Sequence, residues 1–373
     1  MIIAGEASGD LHGAALITEL KKLDADVEIY GIGGNMMQAA GMKIIYHINR
    51  MAFLGFVEVV KHLPFIKKVQ QDLLRLVKEK NIKNVVLIDY PGFNLSFAKK
   101  VKRLGVKIIY YISPQVWAWG AGRIKKIKNL VNKMLVVFPF EEELYNKAGV
   151  DVEFVGHPLP ERIAGYNLLT RYELCEKFEL DKSKEILLIL PGSRNHEVEK
   201  IFPACIKAAE KIADEFNLQI VTACSSNIDE SIFRRIAGDG NFKLIKDHTY
   251  DLMKFAKIGI VKSGTSTLEA GLFSLPMVIV YRTNYLTYLI GKNLVKLNNI
   301  GMVNIVAGEK VVPELIQNDA SSNSIYKECR KILSDIGLYN SIKKKLGCIK
   351  EKLETEEASR RAAQAVYAIV NEA

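Results

Sequence analysis

Short apolar runs alternate with stretches of helical periodicity along almost all of this 373-residue chain. Met1–Ala4, Val27–Ile32, Asn84–Asp89, Lys107–Ile112, Met134–Phe138 and Val152–Val155 read as strands buried on both faces of a parallel sheet. Between them, Leu11–Leu23, Ile66–Lys80 and Leu95–Leu104 carry apolar residues at helical spacing. A second series follows, with strands at Ile186–Leu190, Leu218–Ala223, Lys243–Ile245, Ile258–Val261 and Met277–Tyr281. Its helix Glu197–Phe216 sets Val198, Ile201, Cys205, Ala209, Ile212 and Phe216 on one face. Helices from Asn323 onward close the chain, and no internal repeat is visible beyond the likeness of the two series.

Strand–helix alternation on this scale predicts an α/β fold with two Rossmann-like, doubly wound parallel-sheet domains. Their expected spans are 1–165 and 166–349, with a seam at Gly156-His157-Pro158-Leu159-Pro160. A C-terminal helix over about 350–373 is a candidate to pack back on the first domain. Two such halves with their carboxyl strand ends across one cleft make the architecture called GT-B, with acceptor held by the first half and nucleotide donor by the second.

Apolar content of 49% and charged content of 25% describe an ordinary globular chain. No run of 18 uncharged apolar residues is present, and Glu6 and Asp10 interrupt the opening segment too early for a secretory signal. Five scattered cysteines without C-x-x-C spacing point to reduced thiols and no structural zinc. The net charge of +10 gathers between Lys61 and Lys133. No helix-turn-helix, RNP or zinc-finger pattern accompanies it, so no nucleic-acid partner is expected. An anionic membrane surface, a phosphorylated substrate and simple compositional bias all stay open.

Candidate chemistry lies at the strand ends. Pro191-Gly192-Ser193-Arg194 follows one apolar strand, and Ser263-Gly264-Thr265-Ser266 follows another, with Glu269 one turn into the next helix. Such turns aim backbone N–H groups and a positive helix end at an anion, and Arg194 adds a donor fork for phosphate. Glu269 is placed to accept ribose hydroxyls; the competing reading makes Ser266 an N-cap and Glu269 its capping-box partner. Together the turns predict a nucleotide-diphosphate pocket. In the first half, Gly5-Glu6-Ala7-Ser8-Gly9-Asp10 offers close backbone approach to substrate, or a turn capped by Ser8 or Asp10. Asp89, at the end of a buried strand, is a candidate general base or a helix cap. Trp117 and Trp119 are candidates for the floor of a sugar or acyl site or for a packed wall. Asp24-Ala25-Asp26 spells a D-x-D but falls between a helix and the next strand, away from the carboxyl strand ends, and the six histidines show no ligand spacing. No metal and no cofactor are expected.

With Gly5–Asp10, Ile88–Asn94, Ser113–Trp119, Gly156-His157-Pro158, Pro191–Arg194, Ser263–Glu269, Asn304–Gly308 and Pro313–Gln317 in order, the chain closely resembles the lipid-A-disaccharide synthase family from end to end. The resemblance implies a GT-B, inverting, metal-independent hexosyltransferase, peripheral on the cytoplasmic leaflet of the inner membrane of a Gram-negative-type bacterium. The implied reaction joins UDP-2,3-diacylglucosamine to 2,3-diacylglucosamine 1-phosphate, giving the β-1,6 lipid A disaccharide 1-phosphate and UDP. It assigns Gly192, Ser193, Arg194, Ser263, Gly264, Thr265, Ser266, Glu269 and Asn304 to the donor, and Ser8, Gly9 and Trp117 to the acceptor. The family often has a second Asp where this chain has Gly92, so the base stays open among Asp89, Glu6 and Asp10. The first strand is shorter than the family's, which suggests a trimmed start. The alternative is a UDP-N-acetylglucosamine 2-epimerase or another GT-B UDP-sugar transferase, with a non-catalytic binding module third. Monomer and homodimer both stay open.

One segment belongs to neither pocket. In 51–77, Val59, Leu63, Ile66, Leu73 and Val77 follow a core-facing helical stripe. Phe53, Leu54, Phe56, Val57, Val60 and Phe65 lie off that stripe beside Lys61, Lys67 and Lys68. Apolar groups next to lysines suit a surface that dips into an anionic bilayer; packing under a loop or in a dimer contact is the competing reading.

Overall fold

Two parallel sheets organise the computed structural model, which describes residues 1–51, 63–114, 116, 122–225, 228–238, 240–283, 299–353 and 357–371. The chain divides into one unit of Met1–Glu161 with Leu353–Ala373 and a second of Arg162–Lys352. The first unit holds β1 (Ile2–Ala4), β2 (Tyr30–Gly33), β3 (Lys43–His47), β4 (Asn84–Ile88), β5 (Lys107–Tyr111), β6 (Lys133–Val136) and β7 (Val152–Phe154). Their spatial order is β3-β2-β1-β4-β5-β6-β7. The second holds β8 (Glu185–Leu190), β9 (Leu218–Cys224), β10 (Lys243–Lys246), β11 (Ala256–Lys262), β12 (Met277–Tyr281) and β13 (Glu314–Ile316), in the order β10-β9-β8-β11-β12-β13.

Both orders reverse direction once, between β1 and β4 and between β8 and β11. Helices leave the two strands at such a point on opposite faces, and a crevice opens at their carboxyl ends. The central strands are apolar throughout because both of their faces are covered: Val85–Ile88 and Ile186–Leu190 are buried. Two strands were not legible in the sequence. β3 alternates half-buried with exposed residues at a sheet edge, and β13 has only three half-buried residues at the other sheet's edge.

In the first unit the core gathers Ile3, Leu87, Ile108, Tyr110 and Phe97 with Val69, Leu73 and Val77 of the helix Leu63–Glu79. Leu63, expected on that buried stripe, is 43% exposed. Phe65, expected off it, packs on the core edge, with its ring centroid 6.0 Å from that of Tyr46. The C-terminal helix Ala358–Asn371 packs on the helix Ala7–Leu23. Val59, Val60 and Lys61 of the proposed membrane segment, with Phe53, Leu54, Phe56 and Val57, lie outside the described residues, as do Trp117 and Trp119. In the second unit the helix Asn195–Phe216 buries Val198, Ile201, Phe202, Cys205, Ala209 and Ile212 against its sheet, while Phe216 is half-buried.

Candidate functional site

The first switch point collects left-handed backbone and a half-buried acid. Asp89 and Tyr90, directly after β4, have φ of 44° and 46°, and Ile112 after β5 has φ of 62°. Left-handed backbone is tolerated by Asp but costly for Tyr90 and above all for β-branched Ile112, and such strain clusters where side chains are aimed for function. The β4 end is held from below: Tyr110 Oη donates to the Asp89 carbonyl at 2.5 Å, and Asn94 Nδ2 donates to it at 2.7 Å. Tyr90 packs its ring where a Cβ on Gly5 would come within 2.2 Å, so Gly5 serves this packing.

Burial, and then the nearby Glu6 charge, push the Asp89 carboxyl up from 3.8 to about 6. That places its ionisation near neutrality, where a general base works best. A pocket of about 330 Å³ is lined by Asp89, Pro91, Ile112, Ser113, Arg123 and Glu141, among others. In it Ser113 Oγ donates to buried Glu141 Oε1 at 2.6 Å. Gly92 has open space where a Cβ would point.

Asp89 does not cap the helix beginning at Pro91, whose N-cap is Tyr90 without a side-chain bond. Glu6 is exposed, at the N-cap of the helix Ala7–Leu23. Asp10 requires a correction. It is 5% exposed, and its carboxylate accepts from the N–H groups of Gly34, Met36 and Met37 at 2.6, 3.1 and 3.1 Å. It caps the neighbouring helix Asn35–Ala39 and is not free to take a substrate proton. Gly9 is also corrected: a Cβ there would stand 3.1 Å from Ala4 Cβ, so it brings the helix onto β1 instead of admitting substrate. Ser8 is exposed in the first turn. Asp24 caps the carboxyl end of the same helix, and its Oδ1 accepts from Asp26 N–H.

The second switch point brings both glycine turns together. Gly192 (φ 125°) follows β8, and Ser193 and Arg194 are exposed, Arg194 being the N-cap of the helix Asn195–Phe216. Gly264 (φ 153°) follows β11 as N-cap of the helix Thr265–Leu272, with Thr265 exposed and Ser266 half-buried. The capping-box reading is thereby overturned, since neither Ser266 nor Glu269 caps that helix.

Two residues passed over in the sequence join the turns. Lys262, the last residue of β11, pairs with Glu197 Oε1 at 2.9 Å, and Glu197 Oε2 accepts from Ser193 N–H at 3.2 Å. Glu269 Oε1 accepts from Tyr250 Oη at 3.0 Å and pairs with Arg162. Two donor-site candidates are engaged elsewhere. The Asn304 amide donates to Val312 O and Glu314 Oε1 and accepts from the N–H groups of Val311 and Val312. Its side chain is fully used in holding that loop, so it supports the site and does not touch a donor. Ser263 Oγ donates to Ile300 O at 2.9 Å, which leaves that hydroxyl's proton unavailable to phosphate.

Residues 1–370 match the model of the lipid-A-disaccharide synthetase family. The lipid-A-disaccharide synthase of Geobacter sulfurreducens is 42% identical over 366 residues, 97% of this chain and 95% of that protein. That of Coxiella burnetii is 38% identical over 371 residues, 99% of this chain and 98% of its own.

The chain belongs to the lipid-A-disaccharide synthase family. Among solved structures it is similar to the UDP-N-acetylglucosamine 2-epimerase of Neisseria meningitidis bound to UDP-GlcNAc, with a TM-score of 0.68 at 11% identity. That comparison covers 98% of this chain and 99% of the epimerase. It is also similar to the kitacinnamycin glycotransferase, with a TM-score of 0.65 at 13% identity, covering 98% and 97%. At such identity these likenesses establish the GT-B fold alone. The synthase family, matched over residues 1–370, supports the synthase reading over the epimerase alternative.

Proposed function

We propose that this chain transfers the sugar of UDP-2,3-diacylglucosamine to the 6-hydroxyl of 2,3-diacylglucosamine 1-phosphate, forming the β-1,6 disaccharide 1-phosphate and UDP. The observation that carries the reading beyond the family match is Asp89, a half-buried carboxyl tuned toward neutrality on left-handed backbone at a switch point. In the proposed mechanism the acceptor, bound in the first unit, gives its hydroxyl proton to Asp89 as its oxygen attacks the anomeric carbon. The bond from that carbon to the UDP oxygen breaks, the centre inverts, and the electron pair leaves with UDP. Arg194 and the two helix N-termini offset the charge growing on the departing diphosphate, with Lys262 close behind them. Glu269 accepts the ribose hydroxyls. Glu6 is the remaining alternative to Asp89 as base.

Two substitutions separate these roles. Asp89→Asn is expected to cut kcat by at least 100-fold with UDP affinity unchanged. Arg194→Ala is expected to cut kcat by about 100- to 1,000-fold, the cost of losing one preorganised charge contact. A normal kcat in Asp89→Asn would remove it as the base and transfer the role to Glu6.

The substrates carry acyl chains, and each CH₂ buried in a bilayer holds them there by about 0.8 kcal/mol. The enzyme therefore works at a membrane surface in this proposal, on the cytoplasmic leaflet where UDP-sugars are available. No helix of the described residues is long and apolar enough to cross a membrane.

A further inference from the structure

We propose that Arg162, with Tyr250, is a positioning residue for the donor: it fixes the Glu269 carboxylate, ionised and with one oxygen left over, for the ribose of a uridine nucleotide. The proposal rests on the reading of Glu269 as the ribose ligand and extends it to two residues that the donor motifs do not contain.

The geometry is specific. Arg162 lies 107 positions before Glu269 and is the first residue of the second unit. Its Nη2 donates to both Glu269 Oε1 and Tyr250 Oη, and Tyr250 Oη donates to the same Oε1. The guanidinium also lies over the Tyr250 ring, 5.3 Å from its centroid. That ring is held in turn by Tyr166 at 5.2 Å and Phe273 at 5.6 Å. All these bonds meet on one carboxylate oxygen, and among the described residues Oε2 accepts none. A carboxylate whose orientation is set through one oxygen presents the other to a ligand without losing rotational freedom on binding.

The arrangement is poorly explained as a stability device. Arg162 Nε is buried with no hydrogen bond among the described residues, a cost that a purely structural ion pair has no reason to bear. The Glu269 side chain is 14% exposed. Burial pushes its carboxyl above the ordinary value, and the Arg162 charge and hydrogen bond pull against that rise. Arg162 and Tyr250 are the charged or titratable groups facing it among the described residues. A charged acceptor binds hydroxyls more strongly than a neutral one.

The test is UDP affinity by calorimetry between pH 6 and 9 for the wild type, Arg162→Gln, Arg162→Lys, Glu269→Gln and Glu269→Ala. Without Arg162 the Glu269 carboxyl is released to rise further. Arg162→Gln is therefore expected to bind UDP about tenfold more weakly at the acid end and to recover toward wild type by pH 9. Arg162→Lys restores most of the acid-end affinity, and Glu269→Gln is weak at every pH. A uniform loss across pH in Arg162→Gln, no loss, or a Lys variant no better than Gln overturns the positioning role. If Arg162→Gln does not fold, Tyr250→Phe carries the test: loss of its bond to Glu269 Oε1 is expected to weaken UDP binding at the acid end, and unchanged affinity overturns the role. If Glu269→Ala leaves UDP affinity unchanged, the ribose assignment itself fails. If only Glu269→Ala weakens binding, Arg162 alone loses its role.

Discussion

Lys262 Nζ lies 2.9 Å from Glu197 Oε1, and this ion pair ties the end of β11 to the first helical turn after β8. The Lys262 and Glu197 side chains are 20% and 11% exposed. Glu197 also receives the Ser193 N–H, so one residue holds both glycine turns in register. Gly192 is part of the same fit, since a Cβ there would meet Glu197 Oε2 at 2.6 Å.

Removing the lysine leaves a buried carboxylate with Arg194, 3.7 Å from its Oε1, as the remaining cation. Lys262→Met is expected to destabilise the protein by about 1–3 kcal/mol at pH 7. Burial raises the Glu197 carboxyl, but the Lys262 hydrogen bond and charge outweigh it and hold it below its ordinary value. The pair's contribution is therefore present above the ordinary carboxylate pKa and lost as pH falls through the lowered one. Denaturant unfolding at pH 7 and near pH 3 checks this; a deficit that does not shrink in acid contradicts it.

Turnover carries its own pH signature. With the Asp89 carboxyl at about 6, kcat is expected to fall as pH drops through that value, because the protonated form takes no proton. Glu6→Gln removes a charge that raises Asp89, although burial is the larger cause. The acid limb should move to lower pH with little change in plateau. A pH–rate profile of both proteins decides it, and a collapsed plateau in Glu6→Gln would point to Glu6 itself as the base.

The same carboxyl costs stability. A rise from 3.8 to about 6 corresponds to roughly 3 kcal/mol of differential interaction between its two forms. Relative stability is highest below the unfolded pKa and is lost as pH rises toward the folded value. Asp89→Asn, which removes the charge and tolerates left-handed backbone, is expected to gain about 1–3 kcal/mol at pH 7 and much less at pH 4. Thermal melts at the two pH values measure it.

What the sequence disclosed and what it hid divide by physical distance. β4 and β8 were legible because strands covered on both faces must be continuously apolar. β3 and β13 were not, although the edge strands β7 and β10 were: β3 mixes exposed with half-buried residues and β13 has only three, all half-buried. Asp89 could be placed at a strand end from local pattern alone. The engagement of Asp10 with N–H groups 24–27 positions away could not be read, nor the Arg162 grip on Glu269. The Asp10 pairing is fixed by the sheet order, which sets β1 beside β2, and leaves no trace in local spacing. Lys262 was hidden differently: it reads as the last residue of a strand, and its partner as an ordinary first-turn acid.

Phe53, Leu54, Phe56 and Val57 lie off the core-facing stripe of the segment 51–77, close to lysines in the sequence. Replacing Phe53, Leu54, Phe56 and Val57 with serines is expected to reduce sedimentation with anionic vesicles and activity on long-chain substrate, leaving UDP affinity unchanged. Unchanged sedimentation would return the segment to a packing role.

The most direct measurement supplies the purified protein with labelled 2,3-diacylglucosamine 1-phosphate and UDP-2,3-diacylglucosamine in excess chelator. Products are followed by thin-layer chromatography and UDP release. The expected result is a disaccharide 1-phosphate formed in equal amount with UDP, and its loss in Asp89→Asn. UDP released without disaccharide, or an epimerised UDP-sugar, would contradict the account.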